Sequence, residues 1–330
     1  MNGNDMKNIS YKLLYGAVWL LSLLPFWVLY GIADCFFLLV YFVVRYRRKV
    51  VRRNLTSSFP EKSEKEVKRI ERQFYRWLCD YAVETIKLLS ISDKALLRRI
   101  EFRGVEQLEQ AFDRGQDCAA ILGHYCNWEW LSATGLAFRH LDNPAEARHP
   151  DAVMGLIYHP LYSDAFDRLF IDIRSAHGGS CVPKKDILRH LLTLKREQRH
   201  SLFGYISDQA PRWMNIHLWL QFLNHDTPVF SGGERIMRKM NNAVFYVDME
   251  RPRRGYYTCT FQLITDKPNE LEENDITRRF FQLLEQSIRR APAFYLWTHN
   301  RWKRTKEEFD RVYDLVNGRT IPKTQGVYGS

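Results

Sequence analysis

The chain has 330 residues, enough for one large domain or two modest ones with a full core. Its 45% hydrophobic and 26% charged residues exclude a disordered chain. A net charge of +11 favours anionic partners such as phosphates, acidic lipids, nucleic acid or an acidic protein, and charge alone does not choose among them.

Residues 11–44 read YKLLYGAVWLLSLLPFWVLYGIADCFFLLVYFVV, with only Lys12 and Asp34 charged. A membrane-crossing helix needs about 20 apolar residues, and this run is longer. Pro25 divides it into one helix before the proline and a second over about 26–44. The run also exceeds a signal-peptide core of roughly 7–15 residues, and no small-residue cleavage site follows it. A membrane anchor is therefore expected, with a buried soluble hairpin as the competing reading. Arg45, Arg47, Arg48, Lys49, Arg52 and Arg53 come directly behind it. Such a cluster keeps its end cytoplasmic and attracts anionic head groups, which favours a membrane over a nucleic acid. The expected organisation is an anchor with its basic run over 1–50, a catalytic domain over 51–317 and a disordered tail over 318–330.

The span 63–89 carries apolar residues at helical spacing, and Ser63 with Glu66 forms a capping-box pattern. Short apolar runs at 117–123, 155–160, 201–207, 243–250 and 256–264 read as strands. Helical stretches at about 128–140, 161–176, 184–197, 232–241 and 273–290 separate them. This alternation predicts an α/β fold with a mixed sheet flanked by helices. The six cysteines form no CxxC pair and no zinc-spaced cluster, so free thiols in a reducing compartment are expected, with no metal and no cofactor.

The segment ILGHYCNWEW at 121–130 carries the chemistry. His124 follows a strand and Glu129 stands five residues later. On one continuous helix their side chains would diverge by about 140°. They meet if His124 lies in a loop and Glu129 in the first helical turn, with Asn127 as the N-cap. A histidine can then take a proton from a hydroxyl, a carboxylate can orient the imidazole, and helix N-terminal amides can receive an oxyanion. Taken alone the spacing fits a structural loop histidine as well. Cys126 invites comparison with an acyl-enzyme nucleophile, but direct transfer suits the context better. Gly232 and Gly233 lack both phosphate-loop fingerprints and read as a tight turn before a helix. Arg251, Arg253 and Arg254 stand at the turn between two strands, either as an anion grip or as a solvated flank.

The motif Gly123, His124, Asn127, Trp128, Glu129 resembles that of the lipid A late acyltransferases, within the lysophospholipid acyltransferase superfamily. Ordered blocks extend the resemblance over most of the chain: RRNLTSSFPEKS at 52–63, IYHPLYSDAFDRLFIDIRSAHGG at 157–179, GYISDQAP at 204–211, TPVFSGGERIM at 227–237 and YLWTHNRWK at 295–303. The resemblance implies acyl transfer from an acyl carrier protein thioester to a lipid hydroxyl at the cytoplasmic face of the inner membrane. It makes His124 the general base and Glu129 its carboxylate partner. It places Asn127, Arg174, Asp208 and Glu234 among the substrate-binding or positioning residues, with Thr227 and Gly233 in the same block as Glu234. One departure stands out: His159 precedes Pro160 where many relatives carry arginine. Arginine stays charged at every pH and grips phosphate with two bonds, which histidine does not do reliably, so head-group binding there is in question and His159 is either a polar substrate contact or a loop residue. Other lipid acceptors, or a non-catalytic protein that binds anionic lipid, are the alternatives.

Overall fold

A computed structural model describes residues 3–139, 146–316 and 318–323. Helices α1 (Gly3–Ser22) and α2 (Phe26–Leu38) come first, and α2 runs on as a π-helical turn, Leu39–Val43. Then come α3 (Arg48–Ser58), α4 (Glu64–Lys87), α5 (Asp93–Leu97), β1 (Ile100–Arg103), α6 (Val105–Asp113) and β2 (Cys118–Leu122). A 3-10 turn, Trp128–Ala133, leads into α7 (Thr134–Phe138), β3 (Val153–Tyr158), α8 (Asp164–Ser175), β4 (Ser180–Pro183), α9 (Ile187–Arg196) and β5 (Ser201–Ile206). The chain continues with β6 (Leu218–Phe222), β7 (His225–Val229), α10 (Gly232–Met240), β8 (Ala243–Arg253), β9 (Tyr256–Thr265) and α11 (Asp275–Arg290). It closes with α12 (Lys306–Val312), β10 (Tyr313–Val316) and β11 (Arg319–Pro322).

The main sheet has the order β1-β9-β8-β2-β5-β3-β4. Strands β8, β2, β5, β3 and β4 run parallel, while β9 is antiparallel to β8 and carries β1 parallel to itself. The sheet is mixed and flanked by helices, as expected. Every residue of β2 is buried, which explains its unbroken apolar sequence: a central parallel strand is covered on both faces. Pro25 separates α1 from α2, and the Ser63–Glu66 capping box opens α4. The stretch Phe26–Val43 is helical, with mean hydropathy 2.0 over 18 residues, and so is long and apolar enough to cross a membrane by length and composition.

Several elements depart from the sequence reading. The expected helix over 128–140 begins as a 3-10 turn, because the Ser132 and Thr134 hydroxyls donate to the carbonyls of Glu129 and Leu131, each at 2.7 Å; residue 140 lies outside the described residues. The β6–β7 hairpin carries no local turn signal, because Leu223 and Asn224, at φ 50° and 64°, make its two-residue turn. Leucine is not a residue that signals a left-handed turn, and here the Leu223 amide is held by the Glu285 carboxylate at 2.9 Å. In the expected disordered tail, Arg319–Pro322 pairs with Tyr313–Val316. Residues 324–330 lie outside the described residues.

Candidate active site

The C-terminal ends of β2 and β5 bring the site together, as parallel strands in an open α/β sheet commonly do. After β2 the chain passes Gly123, where a Cβ would come within 2.8 Å of a Leu284 methyl. The close approach lets the backbone turn at once and present His124. From the loop behind β5, Asp208 takes both of its donors: Oδ1 lies 2.6 Å from the His124 Nδ1, and Oδ2 accepts the His124 backbone N–H at 3.1 Å. With Nδ1–H donated to a buried carboxylate, the neutral ring keeps its lone pair on Nε2. That nitrogen faces the Gln209 carboxamide at 3.2 Å, and the side chain of His124 is 17% exposed, so a reactant can reach it. The Trp128 ring packs edge-on at 5.1 Å and fixes the imidazole plane. Burial works to raise the Asp208 carboxyl, but the charge and hydrogen bonds of His124, helped by the Arg301 charge, hold it below its usual value.

The imidazole partner is therefore Asp208, and the expectation that Glu129 fills that position is corrected. Glu129 is held by Arg174 of α8 through a two-pronged pair, Nε to Oε2 and Nη2 to Oε1, each at 2.7 Å. Trp128 Nε1 at 3.2 Å and the Tyr81 hydroxyl at 3.3 Å also donate to Oε1. A permanent guanidinium with matching fork geometry outcompetes a ring already satisfied elsewhere. Burial tends to lower the Arg174 pKa, yet the bonds and charge of Glu129 raise it overall, so the cation is kept.

His124 and the Glu129–Arg174 pair border one cleft of about 580 Å³, lined also by Trp128, Lys184 and Phe230 among others, while Asp208 stands behind the imidazole. Aliphatic Leu156, Ile157, Ile187 and Ile236 complete an amphipathic wall suited to an acyl chain beside polar groups. His159 is exposed and also borders the cleft, as do Gly232 and Gly233 at the start of α10. Lys184 and Gln209 were not singled out from the sequence, since nothing in their local pattern marks them.

Other expected site residues lie elsewhere. The Asn127 side chain does not cap the following turn; it is wholly buried and donates to Glu84 Oε2 at 2.8 Å. The backbone amides of His124, Tyr125, Cys126 and Asn127 are all engaged, so these four do not form an oxyanion pocket. Glu234 turns inward, bonding the Thr277 amide and hydroxyl at 2.9 and 2.7 Å and pairing with Arg238. Its role in this geometry is to join α10 to α11. Thr227 accepts from Trp302 Nε1 at 2.8 Å and is buried. Arg251 and Arg254 are taken up by Asp80, and Arg254 also by Asp34, which leaves little of that cluster for a solution anion. Cys126 is buried with φ 52°, and burial above all pushes its thiol far above the usual range. Among the described residues no group of three or more His, Cys, Asp or Glu side chains could hold a metal ion.

Helix α4 contributes more than its apolar pattern suggested. Its wholly buried Glu84 accepts from Asn127, from Tyr257 at 2.6 Å and from Tyr30 at 2.9 Å, which ties the motif loop to β9 and α2. A glutamate on the apolar face of α4 was the available signal.

A histidine–aspartate pair whose Nε2 lone pair opens on an amphipathic cleft, beside a half-buried guanidinium, can activate a hydroxyl for attack on an acyl group. Comparison with known proteins agrees. The family of bacterial lipid A biosynthesis acyltransferases matches residues 6–304. The chain belongs to this family. A lipid A biosynthesis lauroyltransferase of Escherichia coli (strain K12) is 24% identical over 300 residues, covering 88% of this chain and 90% of that protein. The chain is thus an acyltransferase of the lipid A biosynthesis family.

Proposed function

We propose that this enzyme moves a fatty-acyl chain from an acyl carrier protein thioester to a hydroxyl of a lipid A precursor at the cytoplasmic face of the bacterial inner membrane. The observation that carries this reading is the His124 Nε2, oriented by Asp208 and opening on a cleft with both an aliphatic wall and fixed cations. The acceptor oxygen attacks the thioester carbonyl as Nε2 takes its proton. Asp208 holds the ring tautomer and offsets the imidazolium charge. When the C–S bond breaks, the departing thiolate takes the proton back from Nε2. Ester and carrier thiol leave, with no acyl-enzyme between.

The Gln209 carboxamide lies against Nε2 at 3.2 Å, and once the acceptor hydroxyl takes that place it is free to donate to the carbonyl oxygen. Glu129 aims the Arg174 guanidinium at the same cleft, where a positive charge stabilises the oxyanion or an acceptor phosphate. Lys184 extends the cationic rim for an anionic head group, and the exposed His159 borders the cleft as a polar contact. A net charge of +11 supports docking of an acidic carrier, and the apolar amino terminus supports the inner-membrane location. The test is transfer by the purified full-length enzyme in detergent–lipid micelles. Acyl carrier protein and acyl coenzyme A are offered as alternative donors, and a lipid A precursor and a lysophospholipid as alternative acceptors. Transfer from the carrier to the lipid A precursor is expected; preference for either alternative overturns that half of the reading.

A further inference from the structure

Helix α2 has the length and hydropathy of a membrane span, but its contacts are those of a helix lying along the protein body. Leu29, Ala33, Phe37 and Tyr41, spaced by four, are all buried and face α4. Polar bonds follow the same line. The Tyr30 hydroxyl donates to Glu84 at 2.9 Å, the Tyr41 hydroxyl to Glu71 at 3.0 Å, and Arg76 stacks 5.1 Å from the Phe37 ring. Partners on α4 thus descend in number as those on α2 ascend, so the helices run antiparallel for their shared length. Asp34, the one charged residue of α2, pairs with Arg254 at 2.8 Å, and the β8–β9 turn at Gly255 fits so closely that a Cβ there would strike the Tyr30 hydroxyl. The turn before α2 is held as well: Lys87 Nζ donates to the carbonyls of Ser22 and Leu24 at 2.7 and 3.1 Å.

A helix crossing the bilayer upright would drag α4 in with it, or leave the buried carboxylates Glu71 and Glu84 without these partners. The opposite face of α2 is apolar over its whole length: Trp27, Ile32, Phe36, Leu39, Phe42 and Val43 are exposed. Leu13 and Leu20 are exposed on α1 and Leu23 just past its end, and α1 is tied to the catalytic body through the Tyr11–Asp172 bond to α8. Exposed Leu161, Tyr162 and Phe166 stand at the start of α8, and Leu161 lines the cleft. Arg45, Arg47 and Lys49 are exposed just past the end of α2, where they can meet lipid phosphates.

We propose that α1 and α2 form an in-plane anchor that sinks into a single leaflet of an anionic phospholipid bilayer, with the 161–166 segment dipping beside it, so that the cleft opens sideways to lipid. The occupant is one leaflet, because apolar side chains on the outward face combine with cations at its end, the pattern of interfacial helices. This rests on the membrane half of the proposed function, and it replaces a spanning helix by a flat one. A lipid acceptor would then enter with its chains still in the leaflet.

The test reads depth at three points along α2 in the full-length enzyme bound to vesicles of phosphatidylcholine and phosphatidylglycerol. A fluorophore is attached to native Cys35, or to Trp27→Cys or Val43→Cys with Cys35→Ser, each in a Cys181→Ser background, and quenched by lipids brominated at different positions. All these sites except half-buried Cys181 are exposed, and only variants that keep thioester turnover are read, with Phe42→Cys in place of Val43→Cys if needed. An in-plane anchor keeps the three depths within about 5 Å of one another, the spread left by a turn of about 80° per eight residues. A spanning helix places Cys35 about 12 Å deeper than either end, eight residues away, at 1.5 Å per residue. That V-shaped profile overturns the in-plane anchor while leaving membrane binding intact. Failure of the active enzyme to bind these vesicles at low salt overturns both the anchor and the membrane half of the proposed function.

Discussion

Two buried carboxylates stand at corners beside the cleft, one behind His124 and one against Arg174; they look alike in composition and differ in chemistry. At one, Asp208 is nearly fully buried and bonded to an imidazole. At the other, Glu129 is equally buried and bonded to a guanidinium. An imidazole can gain and lose a proton near neutral pH, whereas a guanidinium cannot. The first corner can therefore carry a proton through a reaction, and the second can only hold a fixed positive charge in place. Two buried carboxylates beside one cleft acquire distinct roles from the bases they hold.

The largest effect is expected at the first corner. His124→Ala should lower the rate of acyl transfer by about 10²–10⁴-fold without loss of vesicle binding or of the thermal transition. Asp208→Asn should come close to that loss, because an amide no longer enforces the Nδ1–H tautomer or offsets an imidazolium. Since both act through one proton, the His124→Ala/Asp208→Asn double variant should be hardly slower than His124→Ala. Near-multiplicative losses from that pair would break the distinction between the two corners.

Glu129→Gln should be milder in rate, about 10–100-fold, the scale of a lost charge-assisted hydrogen bond. Its stability cost should be comparatively large. Removing one member of a buried ion pair costs about 3–5 kcal/mol, and since 19% of the Arg174 side chain reaches solvent, the lower end is expected. Combined with His124→Ala it should multiply, because the two act on different charges. A His124→Ala/Glu129→Gln variant no worse than His124→Ala would instead return Glu129 to the imidazole in the reacting state.

The corners should also separate by acid titration. The Asp208 carboxyl is depressed in the folded protein, so its contribution is full above the unfolded aspartate value, about 3.9. As the pH falls through the lower folded value, that contribution is lost. Urea unfolding of the wild type and of Asp208→Asn should therefore differ most near neutral pH, and the gap should narrow below about pH 4. A gap that widened on acidification would mean that the carboxyl is not held ionised by its neighbours. Ionic strength gives a smaller effect: the apparent KM for an acyl carrier protein should rise a few-fold with salt, and the chemical step should change less.

How much of this was legible follows from the range of each interaction. The strands β2, β3, β5, β8 and β9 were readable because their apolar runs are local and bounded by turn residues. The β6–β7 hairpin was not, since its turn is fixed by a distant glutamate that holds Leu223 in place. The motif itself marked His124. Its pairing with Asp208, 84 residues away, depends on β2 and β5 lying side by side, and no local spacing encodes that. Glu129 was the carboxylate near in sequence, and proximity in sequence proved a poor guide across a strand end. The same holds for α4, whose apolar periodicity was plain while the polar task of Glu84 waited on the fold.

Cys126 provides the finest test of the comparison, because it sits two residues from the imidazole and yet belongs to neither corner. Its thiol points away from the cleft, with Sγ 3.4 Å from the Met249 carbonyl, and no solvent reaches it. Burial raises the thiol far above its normal range, so at neutral pH it has no thiolate with which to attack a thioester. Cys126→Ala should therefore retain transfer within a few-fold of wild type. Its stability should fall by about 1 kcal/mol for the small void left in a packed site, measured as a shift of the urea midpoint at unchanged slope. Single-turnover reactions quenched during transfer should show no acyl mass on the 124–130 peptide in either protein. An acylated Cys126, together with an inactive Cys126→Ala variant that still unfolds cooperatively, would require the loop to open during turnover and would replace direct transfer with a two-step exchange. Retained activity without an acyl adduct leaves Nε2 of His124 as the group that moves the proton.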